Sequence, residues 1–179
     1  MESFSFAKKA YLEGSVFVAF DVETTGLEPR LDKIVEIGAV KFDNQGLIAR
    51  FSTLINPLIP MPADATRVNK ISDEMLKGKP HLDEVLPDFL NFIRGAALAA
   101  HNAPFDCGFI NTALKTALRT PISNPIVDTL TLSRESFPGL RSYALQNLAA
   151  ALGINAQDAH RAEDDARLCM EIFLRCIQR

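Results

Sequence analysis

The sequence predicts an α/β fold: a five-stranded mixed sheet, with three antiparallel strands followed by two parallel ones, flanked by helices. Two observations carry this prediction. Three segments rich in apolar and β-branched residues follow one another over 15–55, and short apolar segments then alternate with helical patterns to about residue 178. The 179 residues are 47% hydrophobic and 23% charged, which is typical of a globular protein, and we expect one domain over 1–179.

The strands of the first half have the clearest pattern. The first strand, over 15–23, is apolar on both faces until it reaches Asp21 and Glu23, which is typical of a central strand covered on both sides. The next two strands, over 34–43 and 46–55, flank an Asn-Gln-Gly turn in which glycine allows the positive φ of a hairpin. These segments predict the antiparallel half of the sheet.

Helices are predicted where apolar residues recur at i, i+3 and i+4. A proline-rich loop over 56–66 precedes a short helix near 72–76 and a longer helix from about Leu82. We expect Pro87 early in this helix, because proline removes a hydrogen bond from a helix interior. The remaining predicted elements are a strand over 96–101, a helix over 104–119, a strand over 125–129 that leads into a helix, a helix over 143–153 and a terminal helix over 160–177.

Charge and cysteine content exclude several classes of protein. The formal net charge of −3 disfavours binding of nucleic acid through a basic surface, but not through metal ions held by carboxylates. The three cysteines lack C-x-x-C spacing, which excludes a disulfide framework and a zinc ribbon. No apolar run approaches the ~18 residues of a membrane helix, so we expect a cytoplasmic protein with no membrane partner.

Several carboxylates stand at positions where the pattern is otherwise apolar. Asp21 and Glu23 are two apart in a strand and project from one face with Cβ atoms roughly 7 Å apart, although a solvent-exposed strand end would also accommodate them. On helical wheels, Asp106 and Asp165 fall within the apolar stripes of their helices. Burial of so many anions is unfavourable unless a counter-charge is present.

Helical periodicity also distinguishes Asp165 from the two acids before it. Glu163 and Asp164 fall outside the apolar stripe, and we expect both to be solvated. The counter-charge for the buried acids is expected to be two divalent metal ions, Mg²⁺ or Mn²⁺, because carboxylate oxygen without cysteine or paired histidine suits hard cations. Two such ions ~3.5–4 Å apart are a recurrent device for hydrolysing phosphodiesters.

Three segments, FDVETTGLEP, HNAPFD and HRAEDDA, resemble the motifs of the DnaQ-like (DEDDh) 3′→5′ exonuclease superfamily, which includes the proofreading epsilon subunit and exonuclease domain of bacterial DNA polymerase III. The resemblance covers about 15–178 and leaves 1–14 as an N-terminal extension. It implies a ribonuclease H-like fold. It also implies a catalytic site of four metal-binding acids and a histidine general base, namely Asp21, Glu23, Asp106, Asp165 and His160.

The same resemblance indicates where substrate binds. The turn after the first two acids is expected to lie against the terminal nucleotide, and Asn69 stands where relatives often have a histidine that contacts substrate. Asn102 and Phe105 belong to the second motif, although helix capping would also explain Asn102 and core packing would explain Phe105. The substrate-binding candidates are therefore Thr24, Thr25, Gly26, Leu27, Asn69, Asn102 and Phe105.

The expected function is metal-dependent 3′→5′ hydrolysis of single-stranded or frayed DNA ends, releasing nucleoside 5′-monophosphates in proofreading or repair, with a DNA polymerase catalytic subunit as a candidate partner. The same chemistry on RNA is the nearest alternative. A non-catalytic polymerase-docking module is a second alternative, which the presence of all four acids and His160 disfavours. A two-carboxylate glycosidase is a more distant one.

Overall fold

The computed structural model describes residues 2–156 and 160–179 of the chain. Its strands are β1 (Phe17–Thr24), β2 (Ile34–Asp43), β3 (Gly46–Leu54), β4 (Ala97–Ala100) and β5 (Ile126–Asp128). They form one sheet in the order β3-β2-β1-β4-β5, in which β1, β2 and β3 pair antiparallel while β4 runs parallel to β1 and β5 parallel to β4. The predicted five-stranded mixed sheet is confirmed.

Helices cover both faces of this sheet. Those in the described residues are α1 (Glu2–Leu12), α2 (Ala63–Asn69), α3 (Asp73–Leu76), α4 (Leu82–Phe92), α5 (Ala103–Thr116), α6 (Thr129–Ser136), α7 (Leu145–Ala151) and α8 (Ala162–Ile177). Within this part of the chain, no helix has the length and apolar character needed to cross a membrane.

The side chains of β1 divide the core into two layers. Phe17 and Ala19 face one cluster, which includes buried residues of α6, α7 and α8. Val18, Phe20 and Val22 face the other, which includes buried residues of α4 and α5. The strand is therefore covered on both sides, as its apolar pattern predicts, and its polar end is the only part of it from which charged side chains project.

Two helices are not predicted by the sequence pattern. The helix α1 lies in the segment preceding the first motif, where its apolar face is short, and Tyr11 lies 5.9 Å from Phe173 between ring centroids. The helix α2 begins inside the predicted loop over 56–66. Pro62 stands at its N-cap, where a missing N–H removes no hydrogen bond, so this proline marks a helix start rather than a loop.

The expected position of Pro87 is also wrong. This proline lies in the middle of α4 rather than early in it. The hydrogen bond that it removes would have been accepted by the carbonyl of Asp83, and both residues are exposed. Water can therefore satisfy that carbonyl, which explains why the helix continues through the proline.

Replacing Tyr11 with alanine is expected to lower the free energy of unfolding by about 2 kcal/mol, because the ring packs against Phe17, Phe42 and Phe173. Leu12→Ala is the matched control, since Leu12 lies on the same helix but is 65% exposed. Its effect should stay within about 0.5 kcal/mol. Chemical denaturation measures both, and equal effects would contradict the placement of α1 in the core.

Candidate active site

Three of the predicted acids come together at the end of β1. Ligand oxygens of Asp21, Glu23 and Asp165 all lie within 4.8 Å of one another. Asp21 and Glu23 project from the same face of the strand, and Asp165 comes from the first turn of α8. The arrangement provides a convergent set of carboxylate oxygens from two elements.

The fourth acid, Asp106, lies beside this set and is held by the strand itself. It is 2% exposed in the first turn of α5, and its Oδ1 accepts a hydrogen bond of 3.0 Å from the backbone N–H of Val22, the residue between Asp21 and Glu23. The apolar stripes of the two helices predicted burial of both Asp106 and Asp165, and the structure confirms it, with Asp165 6% exposed.

Gly38 explains how α8 comes so close to the sheet. It lies opposite Asp21 in the antiparallel pair of β1 and β2. A Cβ atom at this position would lie 2.1 Å from the Ala162 carbonyl carbon and 2.1 Å from the Glu163 nitrogen. Only glycine allows the helix backbone to rest directly on the strand, and this contact brings the first turn of α8 over the acids of β1.

The acids strongly perturb one another. Burial raises the pKa of Asp21 well above its ordinary value, and the charges of Asp106, Glu23 and Asp165 raise it further. Burial, reinforced by Asp165, raises the pKa of Glu23 to about 8. Burial also raises the pKa of Asp106 to about 7 and that of Asp165 to about 6. Such a cluster of hard oxygen ligands with uncompensated charge fits a divalent cation such as Mg²⁺ or Mn²⁺.

Gln146 is a polar contact of the site that the sequence pattern does not reveal. Its Nε2 donates a hydrogen bond of 2.5 Å to Asp165 Oδ1. Gln146 lies in the first turn of α7, and the loop before that helix is tied to the end of β4 by His101, whose Nε2 donates to the Tyr143 carbonyl oxygen at 2.7 Å. A glutamine in an amphipathic helix is ordinarily a solvated residue, so no periodicity distinguishes this one.

His160 lies one residue before Arg161, the N-cap of α8, and is exposed. Its backbone has a φ of 64°, in the left-handed region that is uncommon for a residue with a side chain. The charge of His160 lowers the pKa of Asp165, which opposes the effect of burial on that acid. The imidazole is therefore electrostatically coupled to the acid cluster while it remains open to solvent.

Two buried threonines stabilise the conformation of the loop after β1, and their hydroxyl groups bond within the loop rather than face solvent. Thr24 Oγ1 donates to the carbonyl oxygen of Gly26, and Thr25 Oγ1 donates to Asp32 Oδ1 at 3.1 Å. A Cβ atom on Gly26 would lie 2.4 Å from the Asp32 carboxylate, so a side chain at this position would displace the carboxylate that accepts from Thr25. Leu27 is 77% exposed at the tip, where it is available to a ligand.

The other substrate-binding candidates have different surroundings. Asn69 is buried, with Nδ2 donating to the Thr24 carbonyl oxygen at 3.3 Å and Oδ1 accepting from the Ile71 N–H at 3.0 Å. Asn102 is the exposed N-cap of α5, but its side chain makes no capping hydrogen bond, so the capping explanation is wrong. Phe105 is partly buried, with its ring centroid 5.0 Å from that of Phe109.

The expectation that Asp164 is solvated is wrong. It is buried and pairs with Arg167, which lies one turn further along α8, at 2.8 Å. The guanidinium also donates to the carbonyl oxygen of Asn155 at 2.7 Å. A helical wheel does not show that a long arginine side chain can cover its neighbour and satisfy it. Glu163 is half-buried and pairs with Arg50 at 2.9 Å.

Comparison with known proteins decides the family. The model of the RNase_T exonuclease family matches residues 18–173. The chain belongs to this family. The exonuclease is 50% identical over 163 residues to the DNA polymerase III subunit epsilon of Treponema pallidum (strain Nichols), a match that covers 90% of this chain and 76% of the relative.

Two further comparisons support the same family. The exonuclease is 43% identical over 171 residues to the DNA polymerase III PolC-type of Caldanaerobacter subterraneus, covering 96% of this chain but 12% of that much longer relative. The structure of Exonuclease X in complex with 5′ overhanging duplex DNA superposes with a TM-score of 0.72 at 26% identity, over 90% of each chain. The predictions of a DnaQ-like 3′→5′ exonuclease and of a ribonuclease H-like fold are confirmed.

Gly38→Ala is expected to lower the free energy of unfolding by about 3 kcal/mol, since the added methyl group collides with the backbone of α8. It should also weaken calorimetric Mn²⁺ binding, because Asp165 moves with the helix. Gly108→Ala is the control: Gly108 lies inside α5, and its added Cβ would meet only Pro29 Cγ, at 3.4 Å. A fully stable Gly38→Ala protein would contradict the close approach.

The raised pKa values predict how stability depends on pH. Without metal, Glu23, Asp106 and Asp165 keep protons in the folded state to about pH 8, 7 and 6, above the pKa values of the unfolded chain. The folded state therefore binds more protons than the unfolded state at pH values between the pKa values of the unfolded chain and about pH 8. Stability is greatest below this range and falls as pH rises through it.

In EDTA, the Tm should fall by at least about 10 °C between about pH 5 and pH 8. Asp21→Asn should flatten this dependence, because it removes a carboxyl group whose own pKa is raised by burial well above its ordinary value in the folded state. Saturating Mn²⁺ should stabilise the protein most at the alkaline end of the range. Differential scanning calorimetry measures all three effects, and a Tm that rises with pH in EDTA would contradict them.

Proposed function

We propose that this exonuclease hydrolyses phosphodiester bonds at the 3′ end of single-stranded or frayed DNA and releases nucleoside 5′-monophosphates. The observation that carries the proposal is the convergence of Asp21, Glu23 and Asp165 oxygens within 4.8 Å, with buried Asp106 beside them. These four acids would hold two divalent ions, Mg²⁺ or Mn²⁺. When bound, such ions supply electrostatic stabilisation of the phosphate and a lowered pKa for attacking water.

The residues of the chain then have distinct roles. Asp21 and Glu23 would hold the cations at the end of a rigid central strand, and Gln146 fixes the orientation of the Asp165 carboxylate. His160, which is exposed and whose charge acts on Asp165, takes the proton from the attacking water, which an imidazole can do near neutral pH. Because the four acids are all negatively charged when ionised, bound cations would supply the positive charge that faces the phosphate.

Substrate contacts are proposed for the loop after β1 and for the start of α5. Leu27 would lie against the terminal base, and Gly26 would allow close approach of the backbone. The buried side chains of Thr24, Thr25 and Asn69 would support this loop from within. The exposed Asn102 and the partly buried Phe105 remain candidates for contact with the strand.

DNA is proposed over RNA because of the relatives. The Treponema pallidum protein is a DNA polymerase III subunit at 50% identity, and Exonuclease X was solved with DNA at 26% identity. The same relatives support a DNA polymerase catalytic subunit as the partner and proofreading as the role. The intact acid cluster disfavours a non-catalytic docking module, since repulsion among the acids would be unfavourable without a cation.

The activity is tested by incubating 5′-labelled single-stranded DNA, and a matched RNA, with the protein and Mg²⁺ or Mn²⁺. We expect stepwise shortening of the DNA from its 3′ end, blocked by EDTA, and at least a ~10³-fold loss in Asp21→Asn. Asp88→Asn, an exposed acid on α4, is the control and should stay fully active. Faster shortening of RNA would overturn the substrate, and full activity of Asp21→Asn would overturn the site.

His160→Ala should reduce kcat by about 10²–10⁴-fold while calorimetric Mn²⁺ binding stays close to that of the wild type. The reason is that the imidazole transfers a proton rather than holding the cation. Loss of Mn²⁺ binding together with activity would instead assign His160 to the metal site.

A further inference from the structure

Glu36 is a fifth carboxylate at the site, outside the set of four acids. It lies on β2 directly opposite Glu23 in the antiparallel pair. Its side chain is 1% exposed, which makes it one of the most buried charged groups in the described residues. Its charge adds to the repulsion that raises the pKa values of Glu23 and Asp21. A buried anion at this position requires partners of its own.

The partners come from the start of α8. Arg161 Nη2 donates to Glu36 Oε1 at 2.6 Å, and Arg161 Nε lies 3.3 and 3.2 Å from the two carboxylate oxygens. The backbone N–H of Ala162 donates to Oε2 at 3.1 Å. Both oxygens of Glu36 are therefore occupied by the two residues that follow His160.

These contacts also cap the helix. The first N–H groups of a helix have no partner within it, and Arg161, the N-cap residue of α8, makes no side-chain capping hydrogen bond. Glu36 supplies the missing acceptor from the neighbouring strand. Gly38 lies two residues further along the same strand. The strand β2 therefore contacts the backbone of α8 at Gly38 and holds its first turn through Glu36.

We propose that Glu36 and Arg161 are positioning residues: their ion pair sets the placement of His160 and Asp165 and withholds the Glu36 carboxylate from the bound cations. The proposal rests on the metal-dependent activity proposed above. Without Arg161, Glu36 is an uncompensated anion facing Glu23 and becomes a competing ligand for the cation. Without Glu36, the Arg161 guanidinium loses the carboxylate that offsets its charge beside Glu23, and that positive charge disfavours metal binding.

This reasoning gives opposite effects on metal binding for the two single variants. Arg161→Gln should bind Mn²⁺ as tightly as the wild type or more tightly, yet lose about 10–100-fold in kcat with little change in KM. Glu36→Gln should bind Mn²⁺ about 10-fold more weakly, while its amide oxygen still caps Ala162. The double variant removes both charges and should recover about 10-fold in kcat relative to Arg161→Gln.

Arg50→Gln is the matched control. Arg50, on β3, pairs with Glu163 in the first turn of α8, and this ion pair is exposed and does not involve Glu36. Its kcat and Mn²⁺ affinity should stay within about twofold of the wild type. Circular dichroism at the assay temperature establishes that each variant is folded. If Arg161→Gln does not fold, Arg161→Lys keeps the charge but loses the two-pronged contact, and its kcat should fall about 10-fold.

Several results would overturn the inference. One is a double variant no more active than Arg161→Gln, and another is equal Mn²⁺ affinity in the two single variants. If Arg161→Gln does not fold, an unchanged kcat in Arg161→Lys would also overturn the inference. These outcomes are distinct from failure of the proposed function, which would appear as a wild-type protein without Mn²⁺ binding or metal-dependent shortening of DNA.

Discussion

Repulsion among carboxylates at the end of β1 is the constraint on which the rest of this structure depends. A strand buried on both faces provides a rigid support, but it also removes water that would screen Asp21 and Glu23. Bringing Asp106 and Asp165 to the same place raises the electrostatic free energy further, as the raised pKa values indicate. The fold holds these groups together in spite of that repulsion, and the proposed cations would neutralise the negative charge that results.

The opposing stability comes from apolar packing at a distance from the charges. On one face of the sheet, Phe17, Phe42 and Phe173 form an aromatic cluster that fixes α8 against β1 and β2. The helix that carries Asp165 is therefore anchored by its later turns, and its first turn is held over the acids by Gly38 and Glu36. Burial of hydrocarbon in one half of α8 offsets repulsion in the other half.

The sequence predicts those parts of the site that depend on periodicity. Alternation along β1 and the helical stripes locate the acids, because an anion within an apolar pattern is conspicuous. The same reasoning fails for side chains that reach across elements: Arg167 covers Asp164, and Gln146 meets Asp165 from another helix. It also fails for α1, whose pairing of Tyr11 with distant rings is decided by tertiary contact rather than by local pattern.

The dependence of the site on α8 has a consequence for how the enzyme becomes active during synthesis. Asp21 and Glu23 leave the ribosome early, whereas Gly38 and Glu36 can make their contacts only after α8, which is encoded far downstream, has been synthesised. Contacts of such large sequence separation form late, because loop closure must precede them. A nascent chain therefore carries an incomplete cluster of acids until α8 docks, so the proposed active site is assembled only when that helix is in place.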